Sequence, residues 1–143
     1  MITRASIPPV SHHPARGPAS IQSRRLSDEP PLILVEFSGR ISLGEIQGAR
    51  DFGNIVKSLG GRPFRVLCDF TQTLTMPADV CAVFIKGQEF AVARGMERDA
   101  FVCSSSVLRL QFVRIARESG RIASLGPVQF FDSLADGRAY LER

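Results

Sequence analysis

The chain has few of the side chains on which catalysis usually depends. Its two histidines, His12 and His13, are adjacent and lie in a segment rich in Pro, Ser and Arg. Without further ligands they do not make a metal site, and no histidine elsewhere can serve as the base for a Ser or Cys nucleophile. No glycine-rich phosphate loop follows a predicted strand, and no motif contains paired carboxylates. We therefore expect a non-enzymatic protein without a cofactor.

Cysteines, tryptophan and long apolar runs are also scarce. The three cysteines, Cys68, Cys81 and Cys103, are widely spaced and odd in number. This pattern favours reduced thiols in a cytoplasmic protein over disulfides or a zinc site. No apolar run approaches the roughly 20 residues that span a bilayer, so we predict no membrane span. There is no Trp, and the net charge of +4 is modest. Nucleic-acid binding usually needs a basic stripe with interleaved aromatics, so we do not expect it.

The rest of the chain shows a regular alternation of apolar strands and amphipathic helices. Residues 1–20 are predicted to be a disordered tail because they have too little apolar surface to offset the cost of ordering. Residues 21–143 are predicted to be one α/β domain. Its element order, (β)βαβαβαβα, is typical of a single, mainly parallel sheet of four or five strands with crossover helices. Residues 21–26 and 32–37 are predicted to form an antiparallel hairpin at the sheet edge.

The first helix has the clearest boundaries. Ser42 and Glu45 have the spacing of a capping box, and Gly60-Gly61 favours a helix end. One continuous helix is therefore predicted between them. The later elements are predicted as a central strand (64–70), a helix capped by Thr75, a strand (100–103), a helix capped within 104–106 and ending at Glu118, a strand (128–131) and a helix capped by Asp132 or Ser133.

The residues that follow the central strand are the first candidate site. Ligands and partners of open α/β sheets bind at the carboxyl ends of the strands. The polar residues there are Asp69, Thr71, Thr73, Thr75 and Asp79. Threonines suit strand ends and helix caps for purely structural reasons. Alternatively, a phosphate on one of them would lie near a helix N-terminus and would change a partner-binding surface by nearly two charges.

A second candidate is a basic face on the helix that ends at Glu118. Arg114, Arg117 and Arg121 are spaced i, i+3 and i+7 and are expected to share one face. They are explained either as a solvated face that complements the helix dipole or as a docking face for an acidic partner or membrane surface.

From Ile33 to Leu141 the chain resembles the SpoIIAA-like small proteins, within the wider STAS (sulfate transporter and anti-sigma factor antagonist) group. Four segments carry the resemblance. They are Phe37-Ser-Gly-Arg40 before a capped helix, Val66-Leu-Cys-Asp69, Ala100-Phe-Val-Cys103 before a Ser-capped helix, and the closing segment 130–141.

The resemblance implies a small domain that acts through a protein partner. In the anti-sigma antagonist branch, a Ser or Thr just after the strand-terminal Asp is phosphorylated to control partner binding. This chain lacks the Asp-Ser pair and has Asp69 followed by spaced threonines. The SpoIIAA-like proteins have also been compared with CRAL-TRIO lipid-transfer domains. A lipid or other apolar small molecule, bound between the helices and the sheet, is therefore the alternative function. Self-association is left open as a third.

Overall fold

The computed structural model of the chain describes residues 19–73 and 75–143. Its first two strands, β1 (Ser20–Asp28) and β2 (Pro31–Gly39), form an antiparallel hairpin. The predicted edge hairpin is therefore confirmed. Residues 1–18 of the predicted tail lie outside the described residues, and Ser20, which was assigned to that tail, already belongs to β1.

The other strands are parallel to β2 and lie in sequence order across the sheet. They are β3 (Phe64–Thr73), β4 (Met96–Val102) and β5 (Phe130–Phe131), and the order is β1-β2-β3-β4-β5. The predicted fold, one mainly parallel α/β sheet with crossover helices, is thus confirmed. Six helices occur in the described residues: α1 (Leu43–Gly48), α2 (Asp51–Ser58), α3 (Ala78–Ala93), α4 (Ser106–Glu118), α5 (Arg121–Leu125) and α6 (Leu134–Glu142).

The helices between parallel strands cover one face of the sheet. Each crossover moves one strand further in the same direction, and right-handed crossovers that advance in one direction lie on the same side. Alternate residues of the strands point to that side, where they pack with α2, α3 and α4. This larger core includes Ile33, Val35 and Phe37 of β2, Phe64, Val66, Cys68 and Phe70 of β3, and Val56, Val80, Leu108, Phe112 and Ile115 of the helices.

The terminal helix α6 covers the opposite face. Leu141 packs there against the alternate residues of the strands, which are Leu32, Leu34, Leu67, Ala100 and Val102. Two arginines from that face donate to carbonyls in the last turn of α6: Arg98 to Tyr140 at 3.0 Å, and Arg65 to Leu141. Cations at a helix C-terminus satisfy carbonyls that have no intrahelical partner and complement the helix dipole.

Several predicted boundaries were wrong. The single first helix is two, because Ala49 adopts an extended backbone (φ −75°, ψ 111°) after a six-residue helix weakened by two glycines. Thr75 does not cap α3, which begins at Ala78 with Pro77 at the N-cap position. The predicted strand 100–103 begins earlier, at Met96, and the last strand is only two residues long. An unpredicted helix, α5, follows α4.

Three predicted caps are confirmed. The backbone N–H of Ser42 donates to Glu45 at 2.8 Å, which is half of the capping box. Ser105 accepts from the N–H of Leu108 at 3.2 Å, and Ser133 accepts from Asp136 at 3.1 Å. None of the helices in the described residues is long and apolar enough to cross a bilayer.

The close packing of α6 on the sheet leads to a prediction about Gly137. A Cβ at this position would lie 2.8 Å from Leu67 Cδ1 and 3.3 Å from Val102 Cγ2. Gly137→Val should therefore lower the free energy of unfolding by about 1–3 kcal/mol through overpacking, as measured by urea denaturation. The control is Gly53→Ala in α2, where a Cβ meets nothing within 4 Å. It should raise stability by up to about 1 kcal/mol. Equal effects at both sites would contradict the close packing of α6.

Candidate apolar ligand site

A pocket of about 170 Å³ lies between the helix-covered face of the sheet and helices α1, α2 and α3. An apolar cavity of about 150 Å³ is large enough to bind benzene, so this volume accommodates a small ring or a short branched chain. Four strands supply the floor, with Ile21 of β1 beside alternate residues of β2, β3 and β4. The lining consists of Ile21, Val35, Phe37, Ile46, Ala49, Phe52, Val66, Cys68, Val83, Phe84, Gly87, Gln88, Ala91, Met96, Asp99 and Phe101.

Small residues on the helices leave this space open. Gly87 and Ala91 are one turn apart on α3, and Ala49 ends α1 at the break between the first two helices. Larger side chains at these positions would extend toward the strands. Ala49 and Gly87 are exposed, whereas Ala91 is buried. The pocket therefore reaches the surface beside the α1–α2 break and Gly87, and Ala91 lies in its buried part.

The phenylalanine wall of the pocket consists of Phe37, Phe84 and Phe101, which belong to a larger cluster of phenylalanines. Phe70 is at its centre and stacks on Phe37, with ring centroids 4.3 Å apart, and on Phe101 at 5.9 Å. Phe112 of α4 contacts Phe70 at 4.2 Å and Phe101 at 4.9 Å. Aromatic pairs at these separations contribute beyond the area they bury, so the wall is a firm surface for an apolar ligand.

A buried ion pair borders the pocket, since Asp99 lines it and Arg121 lies behind Asp99. Asp99 on β4 and Arg121 at the start of α5 are each only 2% exposed. Arg121 Nε lies 3.0 Å from Asp99 Oδ1 and 3.2 Å from Oδ2, and another guanidinium nitrogen donates to the carbonyl of Gly126. Burial raises the pKa of Asp99, while the hydrogen bonds and charge of Arg121 act against that rise. The pair therefore keeps the carboxylate satisfied inside an apolar core.

Gln88 is the one buried side chain of the pocket with an unsatisfied group. It is 5% exposed, and its Oε1 accepts a hydrogen bond from the Ser119 hydroxyl at 2.8 Å. Its Nε2 is buried and has no hydrogen-bond partner in the described part of the chain. An unpaired buried donor destabilises the folded state by about 1–3 kcal/mol. An orphaned group in a native pocket therefore calls for a functional explanation.

Cys68 contributes a neutral thiol to the pocket. Burial, together with the nearby carboxylates of Asp99 and Asp69, raises the pKa of this cysteine well above its ordinary value. Because the thiolate is the nucleophilic form, the thiol behaves at neutral pH as a small apolar group. All three cysteines are free thiols, and Cys68 and Cys103 are buried.

The nearest cationic side chains of α2 lie outside the pocket. An adjoining groove shares Ala49 and Phe52 with the pocket and adds Arg50 and Lys57. Both of these cations are exposed. The inner part of the pocket, in contrast, contains no Lys, Arg or His among its lining residues.

The predicted site after β3 is divided between surface and core. Thr71, Thr75 and Asp79 are exposed, whereas Asp69 and Thr73 are only 8% and 7% exposed. Asp69 Oδ1 accepts from both the N–H and the hydroxyl of Thr71, at 2.9 and 2.7 Å. This is an Asx-type turn that shapes the chain as it leaves the strand. Asp69 and Thr73 are therefore too buried to form part of a partner-contacting surface.

The predicted basic face is also corrected. Arg114 is 80% exposed and pairs with Glu118 at 3.0 Å, and Arg117 is exposed in the last turn of α4. Arg121 does not share that face, because α4 ends at Glu118 and Gly120, with φ 82°, redirects the chain. Its guanidinium points into the core, toward Asp99.

Sequence reasoning missed the polar residues of the pocket. Gln88 follows Val80 and Phe84 at four-residue intervals and therefore lies on the apolar stripe of α3. A polar residue at such a position was the sequence signal that could have identified it. Asp99 directly precedes the apolar run 100–103, and a charge at that place needs a partner. The partner, Arg121, is 22 residues away, and no local pattern identifies it.

Comparisons with known proteins leave the function to be argued from the geometry. No protein-family model matches the chain, and no curated protein matches it. Within residues 19–73 and 75–143, no three His, Cys, Asp or Glu side chains group so as to hold a metal ion.

The buried ion pair makes a prediction about stability and pH. Arg121→Met should lower the free energy of unfolding by about 3–5 kcal/mol, because it leaves the Asp99 carboxylate buried without a counter-charge. The pKa of Asp99 should then rise further. A carboxyl with a raised pKa in the folded state loses stability as the pH rises, so the deficit should be larger at about pH 8 than at about pH 5. Denaturation at both pH values measures this.

Two further variants control the ion-pair experiment. Asp99→Leu combined with Arg121→Met should recover most of the loss. The same change at an exposed pair, Arg138→Met beside Glu142, should cost less than about 1 kcal/mol. An Arg121→Met variant as stable as the Arg138→Met variant at both pH values would show that the pair is not buried.

Proposed function

We propose that this protein binds a small apolar molecule in the pocket beneath α1, α2 and α3. The observation that carries the proposal is an apolar pocket of about 170 Å³ that opens to the surface beside Ala49 and Gly87. Protein cores are normally packed with few voids larger than a water molecule. A space of this size between a sheet and its crossover helices is therefore an exception that a ligand explains.

The composition of the lining supports an apolar ligand over a polar one. Twelve lining residues are aliphatic, aromatic or methionine, and the two strongly polar ones lie among them. Small-molecule sites are typically of this kind, mostly apolar with a few polar groups that fix orientation. By comparison with the cavity that holds benzene, the enclosed part of the ligand has about six to ten non-hydrogen atoms.

A protein-interaction role is the second candidate, and one specific observation favours it. Val107 and Leu110 of α4 are large apolar residues that are 57% and 70% exposed. Gln111 joins α4 to the turn after β3, since its amide donates to the Met76 carbonyl at 2.8 Å and accepts from the Met76 N–H at 3.0 Å. The turn and the outer side of α4 thus form one surface on which a partner, and regulation at a threonine, can act.

The ligand-binding proposal is tested with ethylbenzene as the probe. Ethylbenzene should bind the wild-type protein and shift the NMR signals of pocket residues. Ala91→Leu places a larger side chain in the buried part of the pocket, so affinity should fall roughly tenfold or more while stability is kept or raised. Ala82→Leu, an exposed position on the same helix, is the matched control and should bind as the wild type does. Absence of any shift in the wild type would refute the proposal.

The interaction proposal makes a prediction about which threonine is modified. Thr71 donates its hydroxyl to the Asp69 carboxylate, so a phosphate there would meet a negative charge. Thr73 is buried. Phosphorylation, if it regulates this surface, should therefore be found at Thr75, ahead of the N-terminus of α3. Mass spectrometry of the protein from its native host tests this. Unmodified Thr75 under all growth conditions, or modification at Thr73, would count against it.

A further inference from the structure

The polar groups of the pocket indicate which class of apolar ligand it binds. This inference rests on the proposed function. Only Gln88 and Asp99, among the sixteen lining residues, carry an amide or a charge. Both carboxylate oxygens of Asp99 already accept hydrogen bonds from Arg121. Of these two side chains, Gln88 is therefore the one with a polar group that has no partner in the described residues.

The orientation of the Gln88 amide is set from outside the pocket. Ser119, at the end of α4, donates its hydroxyl to Gln88 Oε1 at 2.8 Å. The oxygen end of the amide is thereby held on α4, and Nε2 remains without a hydrogen-bond partner in the described residues. The unsatisfied group is thus a donor, and what complements it is a hydrogen-bond acceptor.

The charge of the pocket excludes an anionic acceptor at this end. The lining contains no Lys, Arg or His, and its one charged residue, Asp99, is itself a carboxylate. A carboxylate or phosphate placed beside Gln88 would lose its hydration without gaining a counter-charge. A neutral acceptor such as a carbonyl has a much smaller desolvation cost and needs only one donor.

We propose that the ligand is a neutral, mainly apolar molecule whose inward end carries one hydrogen-bond acceptor of the carbonyl class, which binds the Nε2 of Gln88. The remainder of the ligand packs between the phenylalanine wall and the small residues of α3. Its outward end points to the opening beside Ala49, so any further polar group belongs at that end.

Three probes of similar size test the proposal: acetophenone, ethylbenzene and benzoate. Acetophenone differs from ethylbenzene by its carbonyl oxygen, and benzoate replaces the methyl ketone with a charged carboxylate. A pocket without a donor should bind ethylbenzene more tightly than acetophenone. The carbonyl of acetophenone is hydrated in water, and in such a pocket it would lose those hydrogen bonds without replacing them. In the wild-type protein, acetophenone should instead bind about threefold to tenfold more tightly than ethylbenzene, and benzoate should bind more weakly than either.

The variant Gln88→Leu removes the amide donor and puts an apolar side chain of similar size in its place. It should abolish the preference for acetophenone while ethylbenzene binding is kept. Gln72→Leu changes an exposed glutamine outside the pocket lining and should leave both affinities unchanged. In the wild type, acetophenone but not ethylbenzene should shift the side-chain amide signals of Gln88 in NMR spectra. This measurement does not depend on whether the variant folds.

The outcomes separate this inference from the proposed function. Binding of ethylbenzene as tightly as acetophenone, with no shift of the Gln88 amide, would overturn the inference and leave the apolar site standing. Tighter binding of benzoate than of acetophenone would contradict the inference that the ligand is neutral. If neither neutral probe binds the wild-type protein, the proposed function is refuted and this inference with it.

Discussion

The strand order is the constraint on which the rest of the structure depends. Because the parallel strands follow one another in sequence order across the sheet, right-handed crossovers place α1 to α5 on one face. The opposite face is left to α6, which packs so closely that Gly137 has no room for a side chain without displacing Leu67. The two faces therefore differ in kind. The face under α6 is tightly packed, whereas the other face must be filled by five helices, of which α1 and α5 have only six and five residues.

The pocket follows from that imperfect filling. The first crossover is made by two short helices with a break at Ala49, and α3 presents Gly87 and Ala91 where larger residues would fill the gap. The same face contains the Asp99–Arg121 pair and the orphaned Nε2 of Gln88. A sequence selected for stability alone would have replaced Gln88 with an apolar residue, since an unpaired donor destabilises the folded state. Such departures from local rules are expected mainly at functional sites. This makes the helix-covered face, and not the densely packed one, the place where function is sought.

The sequence predicted the fold well because the signals for it are local. Apolar alternation, the Ser42–Glu45 capping box and the caps at Ser105 and Ser133 each lie within a few residues of the element they define. The site was predicted poorly because its contacts are distant in the chain. Gln88 and Ser119 are 31 residues apart, and Asp99 and Arg121 are 22 apart. The break at Ala49 was missed for another reason: the apolar spacing of residues 46–59 continues through it, so periodicity alone indicates one helix. Arg121 was misplaced because its spacing from Arg114 fits a helix that Gly120 in fact ends.

The position of Asp69 at the end of its strand has a structural explanation that needs no functional role. Its carboxylate accepts two hydrogen bonds from Thr71 and is largely buried, so its place after the strand is accounted for by the turn that it forms. Two functions are expected from the sequence, partner binding at this turn and, as the alternative, apolar-ligand binding beneath the helices, and both stay predictions. At the turn, the polar groups of Asp69 and Thr71 already pair with each other, although the buried hydroxyl of Thr73 has no hydrogen-bond partner in the described residues. The pocket has open volume and an unsatisfied donor, and both are features that a ligand would remove. This asymmetry is the physical reason for preferring a ligand in the pocket as the primary function and for treating the turn as a surface on which regulation can act.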